Sequence, residues 1–451
     1  MYNDKNDDKM RNKLFLLTLA TFVAVIFTAS CKRETAVEPS WYTNEPYFLE
    51  KHVMYAELPV DTSNIVLVGD DFIDRGMWSD FFGSVKVIGR GITYDGTEHI
   101  LYRIGGIAKA KPKKIFLSAG ARDIMHGDDN AAILKRVSEI CSLIKKASPE
   151  SEIYYIGVTP MGEMTAEQIA QTAELNISLA ESAEETGFTF IDMATVLTDE
   201  SGAINPAYSW NGMLLNGAGY EAYAKAIEPF VGLTALNKAQ EEEVKAERFD
   251  HYNHRLSILR SLPNSEERSV VMLGNSLINN APWKELFPFL NILNRGISGD
   301  VIEGIIDRVD EIADENAGKI FLMTSTNDLL NDQELPILEI WAKYESLIIK
   351  LRKEMPNTIL YVHSVLPLNP KTKFYEGNNE RITELNKLLD AGKDRYEYIY
   401  IDIASLLSDT NGDLADEYTT DGIHLSATGY FVWAKKLAEG YRIMIMEPSF
   451  E

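Results

Sequence analysis

Short apolar segments and longer amphipathic segments alternate along most of the chain. The apolar runs of strand length in its first half are residues 65–68, 114–118, 152–157 and 188–193, and the segments with helical spacing are residues 99–108, 131–146, 166–185 and 217–233. Alternating strands and helices of this kind are typical of a parallel sheet that is covered on both faces. We therefore predict an α/β fold with a central parallel sheet.

The same pattern then occurs a second time. Gly69 is followed by Gly274 after 205 residues, and the tetrapeptide KIFL at residues 114–117 recurs with the same offset at residues 319–322. The offset grows to 210 residues toward the end, so the difference falls in connecting loops. Solenoid proteins repeat every ~20–50 residues, far below this period. The chain therefore contains a tandem duplication of a whole domain.

Composition indicates where the two domains begin and end. We predict a first domain over residues 45–234 and a second over residues 250–447. A helical linker at residues 235–249 joins them, because this segment is rich in helix formers and poor in core residues. Each domain also opens with a helical stretch that ends in Leu-Pro, and proline is well placed to stop a helix.

The acidic balance of the chain excludes some classes of function. The formal net charge is -24 and the isoelectric point is about 4.8, whereas non-specific nucleic-acid binding needs clustered Lys and Arg. Binding to an anionic bilayer surface is disfavoured for the same reason. No Cys, His or Asp spacing indicates a metal site, and we expect no cofactor.

The N-terminal segment has the pattern of a secretion signal. Four basic residues precede an apolar run at residues 14–27, and small residues followed by Cys31 come next. The run is short for a membrane span. Residues 1–31 resemble a bacterial lipoprotein signal peptide in which Cys31 is lipidated, and residues 32–44 would be a tether. This predicts a lipid-anchored protein of the bacterial cell envelope, on the periplasmic or the outer surface, with no other membrane contact.

Four short polar stretches in the second domain are candidates for chemistry. They are Gly-Asn-Ser at residues 274–276, Asn-Arg-Gly at residues 294–296, Ser-Thr-Asn-Asp at residues 325–328 and Asp-Gly-Ile-His at residues 421–424. Each of them lies at the carboxyl end of a predicted strand or in the loop after one, and ligands bind at this edge of open parallel sheets. Together the stretches resemble the blocks of the SGNH, or GDSL-type, hydrolases, and the likeness covers nearly all of residues 45–445 in two copies.

The resemblance implies two three-layer α/β/α, flavodoxin-like domains and the hydrolysis of esters. Carried over residue by residue, it makes Ser276 the nucleophile, His424 the general base and Asp421 the carboxylate that orients the imidazole. The backbone N–H groups of Ser276 and Gly296 and the side chain of Asn327 would form the oxyanion hole. These residue types suit the reaction, because a serine hydroxyl needs a base to remove its proton and a neutral histidine can do so near pH 7.

Each stretch taken alone also has a structural interpretation. Gly-Asn-Ser is a turn tripeptide, Asp421 could cap a helix and Asn327 could be a turn residue. Two positions depart from the family's usual blocks, since Asn275 stands for Asp and Ser325 for Gly, but neither change removes a catalytic group. Four stretches in the expected order favour an intact site in the second domain.

The first domain has the same pattern of strands and helices but lacks the candidate catalytic residues. Asp71 corresponds to Ser276, Arg122 to Asn327, Asn211 to Asp421 and Leu214 to His424, whereas Gly91 keeps its counterpart Gly296. We therefore expect this domain to be inert as a serine esterase. Because a lone buried charge is costly, we predict an ion pair between Asp71 and Arg122 that fills the degenerate site. The alternative is that Arg122 binds an anionic ligand, such as the carboxylate of a uronic or sialic acid.

The resulting hypothesis is a carboxylic ester hydrolase that acts without metal or cofactor. Among the substrates of the family we favour short acyl groups, above all O-acetyl esters on carbohydrate. No long apolar insertion that could shelter a fatty acyl chain is visible near the site. The alternatives are a lysophospholipase or other lipid acyl hydrolase, and a non-catalytic, glycan-binding surface lipoprotein.

Overall fold

A computed structural model describes residues 39–41, 45–236, 250–265 and 268–439 of the chain. The predicted signal peptide with Cys31, most of the tether, most of the linker at residues 235–249 and the last residues of the second domain lie outside these ranges. Within them, every helix is too short or too polar to span a bilayer.

The first half of the chain folds around one parallel sheet with the strand order β2-β1-β3-β4-β5. Its elements are α1 (Pro46–Glu57), β1 (Ile65–Gly69), α2 (Asp71–Arg75), α3 (Trp78–Phe81), β2 (Val87–Gly91), α4 (Thr97–Lys109), β3 (Lys114–Ser118), α5 (Ala121–His126), α6 (Asn130–Ala147), β4 (Glu152–Ile156), α7 (Ala166–Thr186), β5 (Thr189–Ile191), α8 (Ala194–Leu197) and α9 (Gly217–Val231). Four of the five strands lie within two residues of the predicted ones, whereas β2 is not among the predicted strands.

The second half repeats this architecture, with the strand order β7-β6-β8-β9-β10. Its elements are α10 (Asp250–Ser261), β6 (Ser269–Gly274), α11 (Ser276–Asn279), α12 (Trp283–Leu286), β7 (Ile292–Gly296), α13 (Ile302–Asp307), α14 (Val309–Ala313), β8 (Ala317–Met323), α15 (Thr326–Asn331), α16 (Ile337–Glu354), β9 (Ile359–His363), α17 (Asn378–Tyr396), β10 (Ile399–Ile401), α18 (Ala404–Leu407), a 3-10 turn (Asp416–Tyr418) and α19 (Ala427–Glu439). Helices cover both sheets, so the predicted pair of three-layer α/β/α folds is confirmed.

Local sequence explains why the elements begin and end where they do. The inner strand β1, between β2 and β3, is buried along its whole length, as expected of a parallel strand with helices on both faces. Thr165 and Gln168 form a capping box at the start of α7, and Gly187 ends that helix in the left-handed conformation, with φ 83°. These signals are local, so the sequence pattern predicts them well.

The positions shared by the two halves have structural roles. In both halves an arginine pairs with a buried aspartate and also donates to the carbonyl oxygen at the end of the first strand, β1 or β6. These groups are Arg103, Asp95 and Gly69 in the first half, and Arg308, Asp300 and Gly274 in the second. The indole N–H groups of Trp78 and Trp283 likewise donate to equivalent backbone carbonyls. Residues that persist without the chemistry therefore hold the scaffold.

The two halves exchange their first helices. Helix α1 packs against α19 of the second half, and α10 packs against α9 of the first half. Leu256, Ile258 and Leu259 of α10 belong to the same buried apolar cluster as the first sheet. On its other side, α10 is tied to the second half by a hydrogen bond of 2.9 Å from the Tyr252 hydroxyl to the Gly304 carbonyl. Helix α10 is therefore shared by both halves.

Ion pairs across the interface follow the same two-fold pattern. Arg90 is fully buried and donates to both carboxylate oxygens of Glu285, at 2.8 and 2.6 Å. At the positions 205 residues away, Arg295 lies 4.0 Å from Asp80, and Lys284 pairs with Asp80 at 3.0 Å. An interface in which equivalent patches meet each other is the isologous kind found in two-fold symmetric dimers.

We expect Arg90→Met to lower the free energy of unfolding by about 3 kcal/mol, because it leaves the Glu285 carboxylate in the interface without its partner. Urea denaturation would measure the change. Lys435→Gln is the matched control, since it breaks an exposed pair with Glu439 and should cost less than about 0.5 kcal/mol. Equal losses in the two variants would show that the buried pair does not hold the halves together.

Candidate active site

Ser276 lies two residues after the end of β6, where the chain turns into α11. Gly274 makes this turn possible, because a Cβ atom there would lie 1.9 Å from the carbonyl oxygen of Met323. Asn275 caps α11, and its Oδ1 accepts the N–H of Leu277 at 3.1 Å. The asparagine thus does the capping that an aspartate at this position would do, as Asp70 does in the first half.

Ser276, His424 and Asp421 form a continuous chain of hydrogen bonds. His424 Nδ1 lies 2.6 Å from Asp421 Oδ2, and His424 Nε2 lies 3.0 Å from Ser276 Oγ. A carboxylate can only accept, so Nδ1 carries the proton and the neutral imidazole presents an unprotonated Nε2 to the serine. The other carboxylate oxygen of Asp421 accepts the backbone N–H groups of Ile423 and His424 at 2.8 and 2.7 Å. One loop therefore fixes both the carboxylate and the ring.

The electrostatics of this loop favour a charged aspartate beside a basic histidine. Burial alone would raise the pKa of Asp421, but the hydrogen bond and charge of His424 and the two backbone N–H groups lower it to about 2. Burial alone would lower the pKa of His424, but the hydrogen bond and charge of Asp421 and the charge of Glu50 raise it. Glu50 belongs to α1 of the first half and accepts a hydrogen bond from the Thr420 hydroxyl.

The structure does not bring Gly296 to the cavity beside Ser276. Its N–H donates to Asn294 Oδ1 at 3.0 Å, and a Cβ atom there would lie 2.3 Å from the backbone nitrogen of Asn279. Gly296 is thus a packing position, which explains why its counterpart Gly91 is also glycine. Gly299 lines the cavity instead, in the left-handed conformation with φ 78°. The backbone conformation that distinguishes the two glycines is not visible in the sequence.

Asn327 lies in the same cavity as Ser276 and His424. One hydrogen of its Nδ2 group donates to the Asp300 carbonyl at 2.8 Å, which orients the amide. An amide group has two such hydrogens, so the second one is left for a ligand.

The cavity has a volume of about 420 Å³ and is built by both halves of the chain. The second half provides Ser276, Asn279, Asn280, Ser298, Gly299, Asn327 and His424, the first half provides Tyr47, Lys51, Asp74 and Arg75, and helix α10 provides His251, His254, Arg255 and Ile258. The last two groups are missing from the sequence-based site. The spacing of three between His251 and His254 places both on one face of a helix, but nothing in the sequence indicates that this face meets Ser276.

In the first half, Asp71 and Arg122 fill the place of the serine and the asparagine. Both side chains are buried, and the guanidinium donates to the two carboxylate oxygens at 2.7 and 2.9 Å. The predicted ion pair is therefore confirmed. Tyr94 stands where the second half has Gly299, with φ 70°, and its backbone N–H donates to Asp71 at 3.2 Å. The centre of the Tyr94 ring also lies 4.2 Å from the guanidinium carbon. The Arg122 guanidinium and the Tyr94 N–H thus bind Asp71, and the Tyr94 ring fills space beside them.

The loop that carries Asp421 and His424 has a close counterpart in the first half. Asn211 Oδ1 accepts the backbone N–H groups of Met213 and Leu214 at 3.0 and 3.1 Å, as Asp421 does in its own loop. The loop conformation is therefore kept, although Leu214 offers no base.

Comparison with known proteins identifies the family. The model of the GDSL-like Lipase/Acylhydrolase family matches the chain twice, over residues 73–222 and 274–431. The chain belongs to this family. It is accordingly a carboxylic ester hydrolase with tandem GDSL-like folds. The second match contains Ser276, Asp421 and His424, whereas the first begins after Asp71.

Individual relatives of this GDSL-like hydrolase match about two fifths of it. The rat platelet-activating factor acetylhydrolase IB subunit alpha2 is 24% identical over 187 residues, which is 40% of this chain and 80% of the relative. A GDSL-like lipase from Bacteroides thetaiotaomicron is 19% identical with a TM-score of 0.38, and covers 43% of this chain and 98% of its own. A carbohydrate acetylesterase from Sinorhizobium meliloti is 19% identical with a TM-score of 0.34, and covers 40% of this chain and 100% of its own.

Asp71→Ala should lower the free energy of unfolding by about 3 kcal/mol, because it leaves the buried Arg122 guanidinium without its carboxylate. Adding Arg122→Leu should recover most of the loss, since an apolar pair can replace a buried ion pair. Urea denaturation of the single and double variants measures both effects. A double variant that is as unstable as Asp71→Ala would contradict the view that the pair mainly fills the degenerate site.

Proposed function

We propose that the second half hydrolyses a carboxylic ester, with Ser276 as nucleophile, His424 as general base and Asp421 as the group that orients the imidazole. One observation carries the proposal: His424 Nε2 lies 3.0 Å from Ser276 Oγ while Nδ1 lies 2.6 Å from Asp421. A serine becomes a nucleophile when such a base takes its proton, and the carboxylate holds the imidazole in the required tautomer.

The reaction would proceed through an acyl-serine. Ser276 Oγ attacks the ester carbonyl carbon as its proton moves to His424 Nε2. The bond to the alcohol oxygen then breaks, and His424 passes the proton to the departing alkoxide. Water attacks the acyl group in the second step and gives its proton to His424. The imidazolium returns that proton to the departing Ser276 oxygen, which releases the carboxylic acid, and Asp421 stabilises the imidazolium in each step.

Donors are needed where negative charge develops on the carbonyl oxygen. We assign this role to the backbone N–H groups of Ser276 and Gly299 and to the second Nδ2 hydrogen of Asn327, because these three residues line the cavity. Gly299 takes the place of Gly296 in this proposal because the Gly296 N–H is already bound to Asn294.

The substrate that we propose is a short acyl ester, above all an O-acetyl group on carbohydrate. Asn279, Asn280 and Ser298 beside Ser276 can hydrogen-bond sugar hydroxyls. Ile258 is the one aliphatic side chain among the described residues that line the cavity, so a fatty chain would find little apolar surface. The curated rat relative is named an acetylhydrolase, which supports an acetyl group.

The first half would not hydrolyse esters, because Asp71, Arg122 and Leu214 replace the groups that the reaction needs. We propose that it serves the second half as a scaffold and as a wall of the cavity. The lipid-anchored location in the cell envelope stays a prediction, since Cys31 lies outside the described residues.

We expect Ser276→Ala to lower kcat on p-nitrophenyl acetate by about 10³-fold or more, because it removes the nucleophile. Ser346→Ala, which changes an exposed serine of α16, is the control and should behave as the wild type. The wild type should also show a higher kcat/KM for the acetyl ester than for the dodecanoyl ester. A preference for the long chain would refute the short-acyl substrate, and full activity of Ser276→Ala would refute the mechanism.

The pH profile should show the raised pKa of His424. A general base must be neutral, so kcat/KM should rise with pH through a limb that lies above the ordinary imidazole pKa of about 6.5. Glu50→Gln removes a negative charge that favours the imidazolium, and the limb should therefore move to lower pH. Glu57→Gln on the same helix is the control. An unmoved limb in Glu50→Gln would show that α1 does not influence the base.

A further inference from the structure

Two guanidinium groups face the cavity without a carboxylate partner. Arg75 is the last residue of α2, and Arg255 lies on α10; neither forms a salt bridge with any of the residues that the structure describes. Arg75 Nε is buried and has no hydrogen-bond partner within those residues. Arg255 makes one long hydrogen bond, 3.4 Å from Nε to the Gly296 carbonyl. Most of the hydrogen-bonding capacity of both groups is therefore free.

The neighbouring cations are different, because each has a carboxylate. Lys51 pairs with Asp74 at 3.2 Å, and Arg90 pairs with Glu285 across the interface. Arg295 and Arg308 pair with Glu315 and Asp300, at 2.6 and 3.0 Å. Burying a charge without a partner is costly, so two unpaired guanidinium groups in one cavity call for a functional explanation.

Asp74 and Lys51 line the cavity as an ion pair, so Arg75 and Arg255 give this wall an excess of positive charge. Burial lowers the pKa of Arg255 and the charge of Asp80 opposes this, but the nearby Arg295, Arg75 and Arg308 add to the lowering and the pKa falls to about 10, so Arg255 stays charged at neutral pH. His251 and His254 lie beside the two arginines, and burial, helped by these cations, lowers their pKa values to about 4 and 3. Both imidazoles are thus neutral at pH 7, and the positive charge resides on the guanidinium groups.

We propose that Arg75 and Arg255 form an anion-binding subsite, and that the ester substrate carries a carboxylate or a phosphate on its alcohol part. This inference rests on the proposed function of Ser276, which lies in the same cavity. The planar guanidinium group binds carboxylate and phosphate oxygens in pairs, and an anion would supply the partner that both arginines lack. In carbohydrate terms, the substrate is an acetylated sugar acid or sugar phosphate.

The two arginines come from elements outside the second sheet and its loops. Arg75 belongs to the first half, and the residue 205 positions later is the neutral Asn280, which lines the same cavity. Arg255 lies on the shared helix α10, where the equivalent residue of α1 is Glu50. The half without the serine therefore contributes to the choice of substrate in the half that has it.

Three acetyl esters on one sugar core test the proposal with the full-length chain. The probes are mono-O-acetyl methyl glucoside, the corresponding glucuronate and the corresponding glucose 6-phosphate derivative. We expect the wild type to hydrolyse at least one charged ester with a kcat/KM at least about tenfold above that of the neutral one, and the two charged esters distinguish carboxylate from phosphate. Arg75→Gln and Arg255→Gln should each lower this charged-to-neutral ratio about tenfold or more, with the larger change in KM.

Control measurements distinguish loss of the anion subsite from loss of folding and from a failure of the proposed esterase function. Arg260→Gln changes an exposed arginine of the same helix, which pairs with Glu311, and should leave the ratio unchanged. Thermal unfolding checks that each variant folds. Equal rates on neutral and charged esters would overturn the subsite while the esterase stands. If no ester is cleaved, the subsite is tested by calorimetric titration of Ser276→Ala with methyl glucuronoside and with inorganic phosphate. Binding of either anion that is lost when Arg75→Gln is added supports the subsite. Absence of binding of both anions overturns it.

Discussion

The exchange of helices between the two halves is the packing on which the rest of the structure depends. Helix α10 buries Leu256, Ile258 and Leu259 against the first half and donates from Tyr252 to the second. Conversely, helix α1 of the first half packs against α19 of the second half. This contact brings Glu50 next to the loop that contains Asp421 and His424. Because burial of apolar surface drives this packing, the cavity around Ser276 forms only where both halves are folded and in contact.

The degenerate half shows how a site can be closed while its scaffold is kept. The Asp71 carboxylate accepts hydrogen bonds from Arg122 and from the backbone N–H of Tyr94, so the donors that would face a substrate are used by the protein itself. The strand ends, the tryptophan and the buried arginine pairs are nevertheless the same in both halves. Fold stability and ester chemistry therefore depend on separate sets of residues.

Much of the fold could be predicted from the sequence, because its causes are local or repeated. The strand and helix patterns are periodic, and the offset of 205 to 210 residues between the halves gives their equivalence. The spacing of Asp421 and His424 likewise places both on one loop. Gly296 shows the limit of this reasoning: two glycines lie three residues apart, and only the backbone reveals that Gly299 lies in the cavity while Gly296 packs against Asn279. The positions of Arg75 and Arg255 depend on contacts between the halves, which no local pattern encodes.

The two-fold arrangement of the interface has a consequence for how the cavity responds to dilution. Equivalent patches meet each other here as they do in a symmetric dimer, with Arg90 on Glu285 and Arg295 near Asp80. In a dimer of separate subunits, such a shared cavity would be lost as the protein concentration falls below the dissociation constant. In one chain the partner is present at a fixed effective concentration, so assembly of the cavity is unimolecular. The tandem arrangement also frees the two halves to differ in sequence, which a dimer of identical subunits does not permit.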